Sequence, residues 1–293
     1  MIRIYTIILS IIIFCCGISK TYGQQDLLLS NILSNNIHLN PSNVGFWLNK
    51  DKTFSTDGTY RSQWIGFEGA PKTTVINVEG RLNDYNTAVG LTLIQDKIGI
   101  ENKYEIAGSY AYQLRFRNSM LAIGLRTGMT LFKTRFEDLD NQSDYDFQEL
   151  DGNFMQWSVG LGISYQDEHI TFSAGVPSVV SFNNSLANLK QRHYYIQASF
   201  KIGDYYNTDI IVEPLLQFRF HESTRFQTNI GVIFWINENI FPSLQYRMNE
   251  SIIMGLGTKV LNNVTASLSY DLIVNEIRPN TYGSLEINVS YSF

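Results

Sequence analysis

Few side chains of this sequence have the types and spacing that chemistry requires. The four histidines are never two or four residues apart, the spacings that place two imidazoles on one face: His38, His169, His193 and His221. His221 and Ser223 could share one face of a strand, as the base and nucleophile of a surface phospholipase would. However, this pair falls in a predicted tight turn and has no asparagine to orient the histidine. We therefore predict no enzymatic activity, no metal site and no cofactor.

The acidic stretch 133–152 is the second candidate for chemistry. It has no basic residue after Arg135 and contains seven carboxylates: Glu137, Asp138, Asp140, Asp144, Asp146, Glu149 and Asp151. Asp140, Gln142, Asp144 and Asp146 alternate as calcium ligands do, but the sharp-turn glycine and closing glutamate of a calcium loop are missing. The stretch is predicted to be a charge-rich exposed loop, with a calcium site as the alternative that stays open.

Residues 1–23 are predicted to be a secretory signal peptide. Arg3 supplies the positive start, Ile7 to Cys16 form the apolar core, and Thr21 to Gly23 place small residues at the cleavage site. The mature chain would begin at Gln24. Both cysteines lie within this leader, so we expect the exported protein to contain no disulfide.

Composition narrows the class of the mature protein. The chain contains 17 Tyr and 18 Phe, yet its mean hydropathy is −0.10 and no continuous apolar run follows the leader. A membrane helix needs about 20 apolar residues, whereas a membrane barrel places its apolar residues at every second position. The formal net charge of −5 argues against a nucleic-acid partner. A transmembrane β-barrel remains open.

An alternation of apolar and polar residues dominates the chain after residue 52. In the last segment the apolar positions are Leu285, Ile287, Val289, Tyr291 and Phe293, and the residues between them are polar. Successive side chains of a strand point to opposite faces, so one face would meet lipid and the other a polar lumen. We predict an all-β fold: a transmembrane, antiparallel up-and-down β-barrel over residues 53–293. About fourteen strands are expected, near 53–62, 72–81, 86–95, 103–116, 119–132, 153–166, 169–176, 192–203, 207–220, 225–236, 240–247, 251–260, 263–271 and 283–293.

The connections between these strands sort by length. The long connections are all odd-numbered, near 63–71, 133–152, 177–191 and 272–282, and the even-numbered connections are short. Outer-membrane barrels have short periplasmic turns and longer extracellular loops, so this sorting supports the barrel and an outward-running first strand. Residues 24–52 lack alternation, and the sequence does not decide whether this segment lies in the periplasm or plugs the lumen.

The stretch from Tyr60 to Thr73 resembles the signature of the PorP/SprF family. It reads Y-R-S-Q-W-I-G-F-E-G-A-P-K-T, against a family pattern of roughly Y-R-x-Q-W-x-G-x-x-G-A-P-x-T. Leu39 to Gly45 is similar to the family's N-P-A-x-x-G element, and Gly283 to Phe293 resembles its closing strand. The candidate functional residues are those that match: Asn40, Pro41, Arg61, Gln63, Trp64, Gly66, Gly69, Ala70, Pro71 and Lys72.

The resemblance implies an outer-membrane component of the type IX secretion and gliding machinery of Bacteroidota. Such a protein would bind a large secreted adhesin through the adhesin's C-terminal signal domain, and would contact periplasmic ring and lipoprotein components. The family brings no catalytic residues. We expect Gly66, Gly69 and Pro71 to shape the first extracellular loop, with Trp64 near the membrane interface and Arg61 on the lumen face.

A transport pore is the alternative function. Fourteen strands can enclose a channel for small or hydrophobic solutes. Four glycines on the predicted inner face would leave room for it: Gly90, Gly124, Gly128 and Gly255.

Overall fold

The computed structural model describes residues 27, 29–31, 37–46, 48, 52–82, 86–134, 153–183, 192–203, 209–221 and 226–293. The predicted leader, Ser223 and most of the acidic stretch 133–152 lie outside these ranges. No helix within them has the length and apolar character that crossing a membrane requires.

Fourteen antiparallel strands form a closed barrel, as the alternation predicts. Each strand pairs with its neighbours in the chain, and the first strand pairs with the last. The strands are β1 (Phe54–Ser62), β2 (Lys72–Arg81), β3 (Thr87–Ile98), β4 (Glu101–Arg115), β5 (Met120–Thr134), β6 (Phe154–Gln166), β7 (Ile170–Asn183), β8 (His193–Phe200), β9 (Ile210–His221), β10 (Gln227–Ile236), β11 (Ile240–Arg247), β12 (Ser251–Leu261), β13 (Val264–Ile273) and β14 (Ser284–Ser292).

The two faces of the wall differ in polarity. In β14, Ile287 is 45% exposed on the outer face, whereas the neighbouring Glu286 is 1% exposed and points into the lumen. Apolar side chains on the outside can meet lipid, and charged side chains would be costly there. The polar face lines the lumen, where its charged side chains are kept away from lipid.

The strand ends form two distinct edges. The loop edge carries connections 63–71, 135–153, 184–192 and 274–283, and the turn edge carries 82–86, 116–119, 167–169, 237–239 and 262–263. The predicted sorting by length has one exception, because the connection 201–209 on the turn edge is longer than predicted. Short turns mark the periplasmic side of such barrels, so we assign the loop edge to the cell exterior.

The largest departure from the predicted strand bounds is at β7, while β3 ends three residues later and β8 three residues earlier than predicted. Strand β7 was expected to end at Val176 before Pro177, but it continues to Asn183. The register of β6 and β7 shifts between Val159 and Leu161, and the carbonyl of Pro177 accepts a hydrogen bond from Arg126 Nη1 at 3.3 Å. A β-bulge tolerates proline because its residues need not donate to the ladder.

Deleting Phe293 should lower the amount of assembled barrel. The carbonyl of Phe293 accepts from the backbone N–H groups of Thr53 and Phe54 at 2.9 and 3.0 Å, and its own N–H donates to Phe54 O at 3.0 Å. These bonds extend the junction of β1 and β14 beyond its last register pair, Ser55 and Ser292, and an open edge is costly in lipid. The measurement is the heat-modifiable band in the membrane fraction. Phe293→Tyr keeps these bonds and should assemble normally, so equal levels for the deletion would contradict the prediction.

Candidate functional site

The signature residues after β1 fold into a compact loop, residues 63–71. The N–H of Gln63 donates to the carbonyl of Pro71 at 2.9 Å and so closes the loop at its base, where both residues are buried. Gly66 and Gly69 adopt φ angles of +93° and +72°, which glycine reaches without a steric penalty. Trp64 adopts φ +43°, an uncommon conformation for a residue with a side chain.

The loop 63–71 is braced by the loop 274–283. Ile65 exchanges backbone hydrogen bonds with Gly283 and Tyr282 at 2.7 and 2.8 Å, and the N–H of Trp64 donates to Ser284 Oγ at 3.1 Å. A Cβ on Gly66 would lie 2.8 Å from Cδ2 of the Tyr282 ring. A side chain at position 66 would therefore force the Tyr282 ring to move and would also be strained at this φ angle.

The braced loops present apolar side chains at the loop edge. Ile65, Phe67 and Tyr282 are 36%, 48% and 79% exposed. We call these three residues the rim patch. Of the other signature residues here, Trp64 and Ala70 are half-buried, and Lys72 is exposed at the start of β2. The proximity of Trp64 to the membrane interface stays a prediction.

Arg61 points into the lumen and joins a buried group of charges. Its Nη2 lies 2.7 Å from Asp271 Oδ2, and its Nη1 lies 3.3 Å from Glu286 Oε2. Arg247 Nη1 lies 3.4 Å from the same oxygen of Asp271. We call these four residues the charge cluster. Each is the last, second-last or third residue from the loop-edge end of its strand, so the strands themselves bring the group together.

Part of the N-terminal segment lies against this charge cluster, inside the barrel. The N–H groups of Ser30 and Asn31 donate to the two oxygens of Glu286 at 2.7 and 2.9 Å. Ser30 Oγ donates to Asp271 Oδ2 at 2.7 Å. The sequence left the location of this segment open, and these contacts place its described residues in the lumen.

Asn40 and Pro41 hold the same segment at the other end of the barrel. The side-chain oxygen of Asn40 accepts from the N–H of Ser42 at 3.0 Å and caps a single 3-10 turn, Pro41–Asn43. Its Nδ2 donates to Ser164 and Ser173 at 3.0 and 2.6 Å, on the turn-edge halves of β6 and β7. The family element around Asn40 and Pro41 therefore fixes the segment to the wall.

Glycines in the barrel wall leave the space that this turn occupies. A Cβ on Gly124 would lie 2.2 Å from the backbone nitrogen of Ser42, and one on Gly175 would lie 2.6 Å from the carbonyl of Leu39. Gly90 faces Val44, and a Cβ added to Gly90 would lie 3.1 Å from Val44 Cγ2. The expectation that Gly90 and Gly124 leave room for a solute is therefore wrong, because residues 39–44 occupy that space. The nearest atoms to Gly128 and Gly255 belong to the wall itself.

Two histidines lie side by side on neighbouring strands, although their spacing in the sequence did not predict this. His193 and His221 are register partners in β8 and β9, with ring centroids 4.2 Å apart. His221 is the last residue of β9 rather than part of a turn, which corrects the sequence-based prediction. Among the described residues no group of three or more His, Cys, Asp or Glu side chains is arranged to hold a metal ion.

Comparisons with known proteins agree with this architecture. The model of a family described as type IX secretion system membrane protein PorP/SprF matches residues 21–291. The structure of the Ralstonia pickettii toluene transporter TbuX is 11% identical, with 89% of this chain and 93% of that chain covered and a TM-score of 0.51. The CymD monoaromatic hydrocarbon channel is also 11% identical, with 89% and 93% covered and a TM-score of 0.54. These identities establish a shared fold alone, and no curated protein sequence matches the chain. Because the family match spans nearly the whole sequence, the chain belongs to the PorP/SprF family of type IX secretion system membrane proteins.

Proposed function

We propose that the protein is a non-enzymatic outer-membrane component of the type IX machinery that binds a large secreted surface protein through its C-terminal signal domain. In this role the leader 1–23 is removed on export, and periplasmic ring or lipoprotein components contact the turn edge. A surface adhesin, as used in gliding, is the expected cargo. The family membership supports the secretion role. We propose that the cargo binds at the rim patch.

The rim patch has the features of a binding surface. Its exposed apolar side chains are Ile65, Phe67 and Tyr282, and aromatic residues are enriched where proteins bind one another. The loop beneath it is held by backbone hydrogen bonds to a second loop and by the bond from Gly99 N–H to Gly69 O at 2.9 Å. A surface held in one conformation loses little entropy on binding, which favours affinity.

Replacing Phe67 with Ala tests the rim patch. Phe67 is 48% exposed, so its loss should leave the barrel intact while removing a large contact from the interface. We expect co-purification of the secreted protein with the tagged barrel to fall about tenfold, the loss typical of one interface anchor. The readout is the yield of cargo and of its isolated C-terminal domain after pull-down from solubilised membranes.

Met248→Ala is the matched control for this experiment. Met248 is 55% exposed in another connection of the loop edge and should not affect cargo yield. Equal retention of cargo by the Phe67 variant and the wild type would place the interface elsewhere. A wild-type barrel that brings down no partner and conducts ions steadily in a bilayer would instead support the transport-pore alternative.

A further inference from the structure

Three lysines lie side by side on neighbouring strands at the loop edge. Lys72 in β2 is the register partner of Lys97 in β3. Asn102 in β4 is the register partner of Lys97 on one side and of Lys133 in β5 on the other. We call these four residues the lysine row. Neighbouring strands lie about 4.8 Å apart and lysine side chains are long and flexible, so the three ammonium groups can reach one common ligand.

The lysine row belongs to the outer face of the barrel. Thr73 and Asp96 point into the lumen, where the hydroxyl of Thr73 donates to Asp96 Oδ1 at 2.5 Å. Successive side chains alternate between the faces, so the adjoining lysines of β2 and β3 point outward. The Nζ of Lys133 lies 5.8 Å from the centre of the Tyr104 ring, which is exposed on the outer face. All three lysines are exposed.

The outer face of β1 to β4 changes from polar to apolar in two steps below the lysine row. The next row of register partners toward the turn edge consists of Tyr60, Thr74, Gln95 and Tyr104. The row after it contains Ile76, Leu93 and Ile106. Aromatic residues mark the interface of such barrels and apolar residues face the hydrocarbon. With a rise of about 3.4 Å per residue, the lysines lie about 7 Å beyond the tyrosines, which is the level of the lipid headgroups.

The positive charges of the lysine row are not neutralised within the described parts of the chain. The lysines that form ion pairs there are Lys103 and Lys259. Glu68 and Glu101 are exposed in the adjoining loop and strand, but neither lies within 4.0 Å of a lysine nitrogen. Like charges directly opposite each other on one face of a sheet destabilise it, and the lysines of β2 and β3 are such a pair. An anion bound between them would remove this repulsion.

We propose that the lysine row binds the phosphate groups of a lipid in the outer leaflet of the membrane. The direction of the side chains favours a lipid over a soluble partner, because they leave the wall on its hydrocarbon side, just beyond the tyrosines. Lysine binds phosphate as a point charge, and basic residues at a membrane surface attract anionic headgroups. The proposal rests on the outer-membrane location and on the assignment of the loop edge to the cell exterior. It does not depend on the cargo or on the rim patch.

Replacing Lys72, Lys97 and Lys133 together with Gln tests the site. The three side chains are exposed, so the variant should keep the heat-modifiable band of a folded barrel. The probe is diphosphoryl lipid A, titrated into the purified barrel in a non-ionic detergent, and native mass spectrometry measures the bound fraction. We expect the variant to bind about 100-fold more weakly than the wild type, since each lysine near an anionic surface contributes about fivefold. Arginine at the same three positions keeps the charge and should restore binding.

A second triple variant is the matched control. Replacing Lys52, Lys201 and Lys259 with Gln removes the same charge at the turn edge and should leave the affinity for diphosphoryl lipid A unchanged. The same lipid without its phosphates should bind the wild type about as weakly as it binds the lysine-row variant.

Four results would overturn the proposal. Equal affinities of the wild type and the lysine-row variant would show that the lysines do not bind the lipid, and an equal loss in the turn-edge variant would indicate unspecific attraction. Competition by inorganic phosphate at the concentration of the lipid would show that the site takes a free anion. Unchanged lipid binding with a lower yield of cargo in the pull-down would assign the lysine row to a protein partner.

Discussion

In a Gly124→Val variant, residues 40–45 should leave the lumen while the fourteen strands still form an intact barrel. The added Cβ would lie 2.2 Å from the nitrogen of Ser42 and 2.3 Å from the carbonyl carbon of Pro41. Overpacking a core costs about 1–3 kcal/mol when side chains can shift, and here the obstructing atoms are main chain. The cost of keeping the turn in place should therefore exceed the cost of releasing it.

Cysteine labelling measures this release. Ser42 has no exposed surface, so a cysteine at position 42 should react slowly with a maleimide in the wild-type background. In the Gly124→Val background we expect its rate to rise at least about tenfold, as for a segment whose opening no longer costs free energy. The variant should still show the heat-modifiable band of a folded barrel.

Gly108→Val is the matched control for the same measurement. Gly108 lies on the outer face of β4, and a Cβ there meets no atom within 4 Å. The cysteine at position 42 should therefore react as in the wild type. Equal rates in the Gly124 and Gly108 variants would show that the glycine contact does not hold the turn in place.

The barrel wall could be predicted from the sequence because lipid imposes a simple rule on it. Most outward residues in the lipid zone are apolar, so alternation marks both the existence and the phase of a strand. Strands β2 and β11 have the predicted bounds, 72–81 and 240–247. The same phase argument applied to Arg61 and Glu286 points them into the lumen, where the structure places them. The extension of β7 past Pro177 was missed because a bulge has no signal in the alternation.

The contents of the lumen could not be predicted in the same way. The described residues before β1 form one 3-10 turn and no strand of the sheet, so they show no periodic pattern. Ser30 and its partner Glu286 are 256 residues apart in sequence. The inward glycines were a usable signal, since a glycine on a barrel wall either leaves space or admits another backbone. Nothing in the sequence tells whether such a glycine leaves empty space or makes room for another backbone. The contacts of Gly124 show that it makes room for a backbone.

Replacing Asp271 with Asn should destabilise the barrel by about 3 kcal/mol, the cost of leaving buried charges without their partner. Asp271 Oδ2 is shared by Arg61 and Arg247 at 2.7 and 3.4 Å, and all three side chains are 1% exposed. An amide of the same shape retains one acceptor but no charge, so two guanidinium groups would depend mainly on Glu286 and Glu250. The expected result is a lower urea midpoint for unfolding of the purified barrel in lipid vesicles.

Glu238→Gln is an isosteric control on the barrel surface. Glu238 lies 4.0 Å from Lys259, and their side chains are 58% and 40% exposed, so water screens the pair. Loss of such a pair costs between zero and about 1 kcal/mol. The Asp271 variant should therefore unfold at a lower urea concentration than the wild type, whereas the Glu238 variant should keep the wild-type midpoint. Equal urea midpoints for the two variants would contradict this prediction. They would mean that water replaces the lost partner of Arg61 and Arg247, and that the charge cluster does not stabilise the barrel.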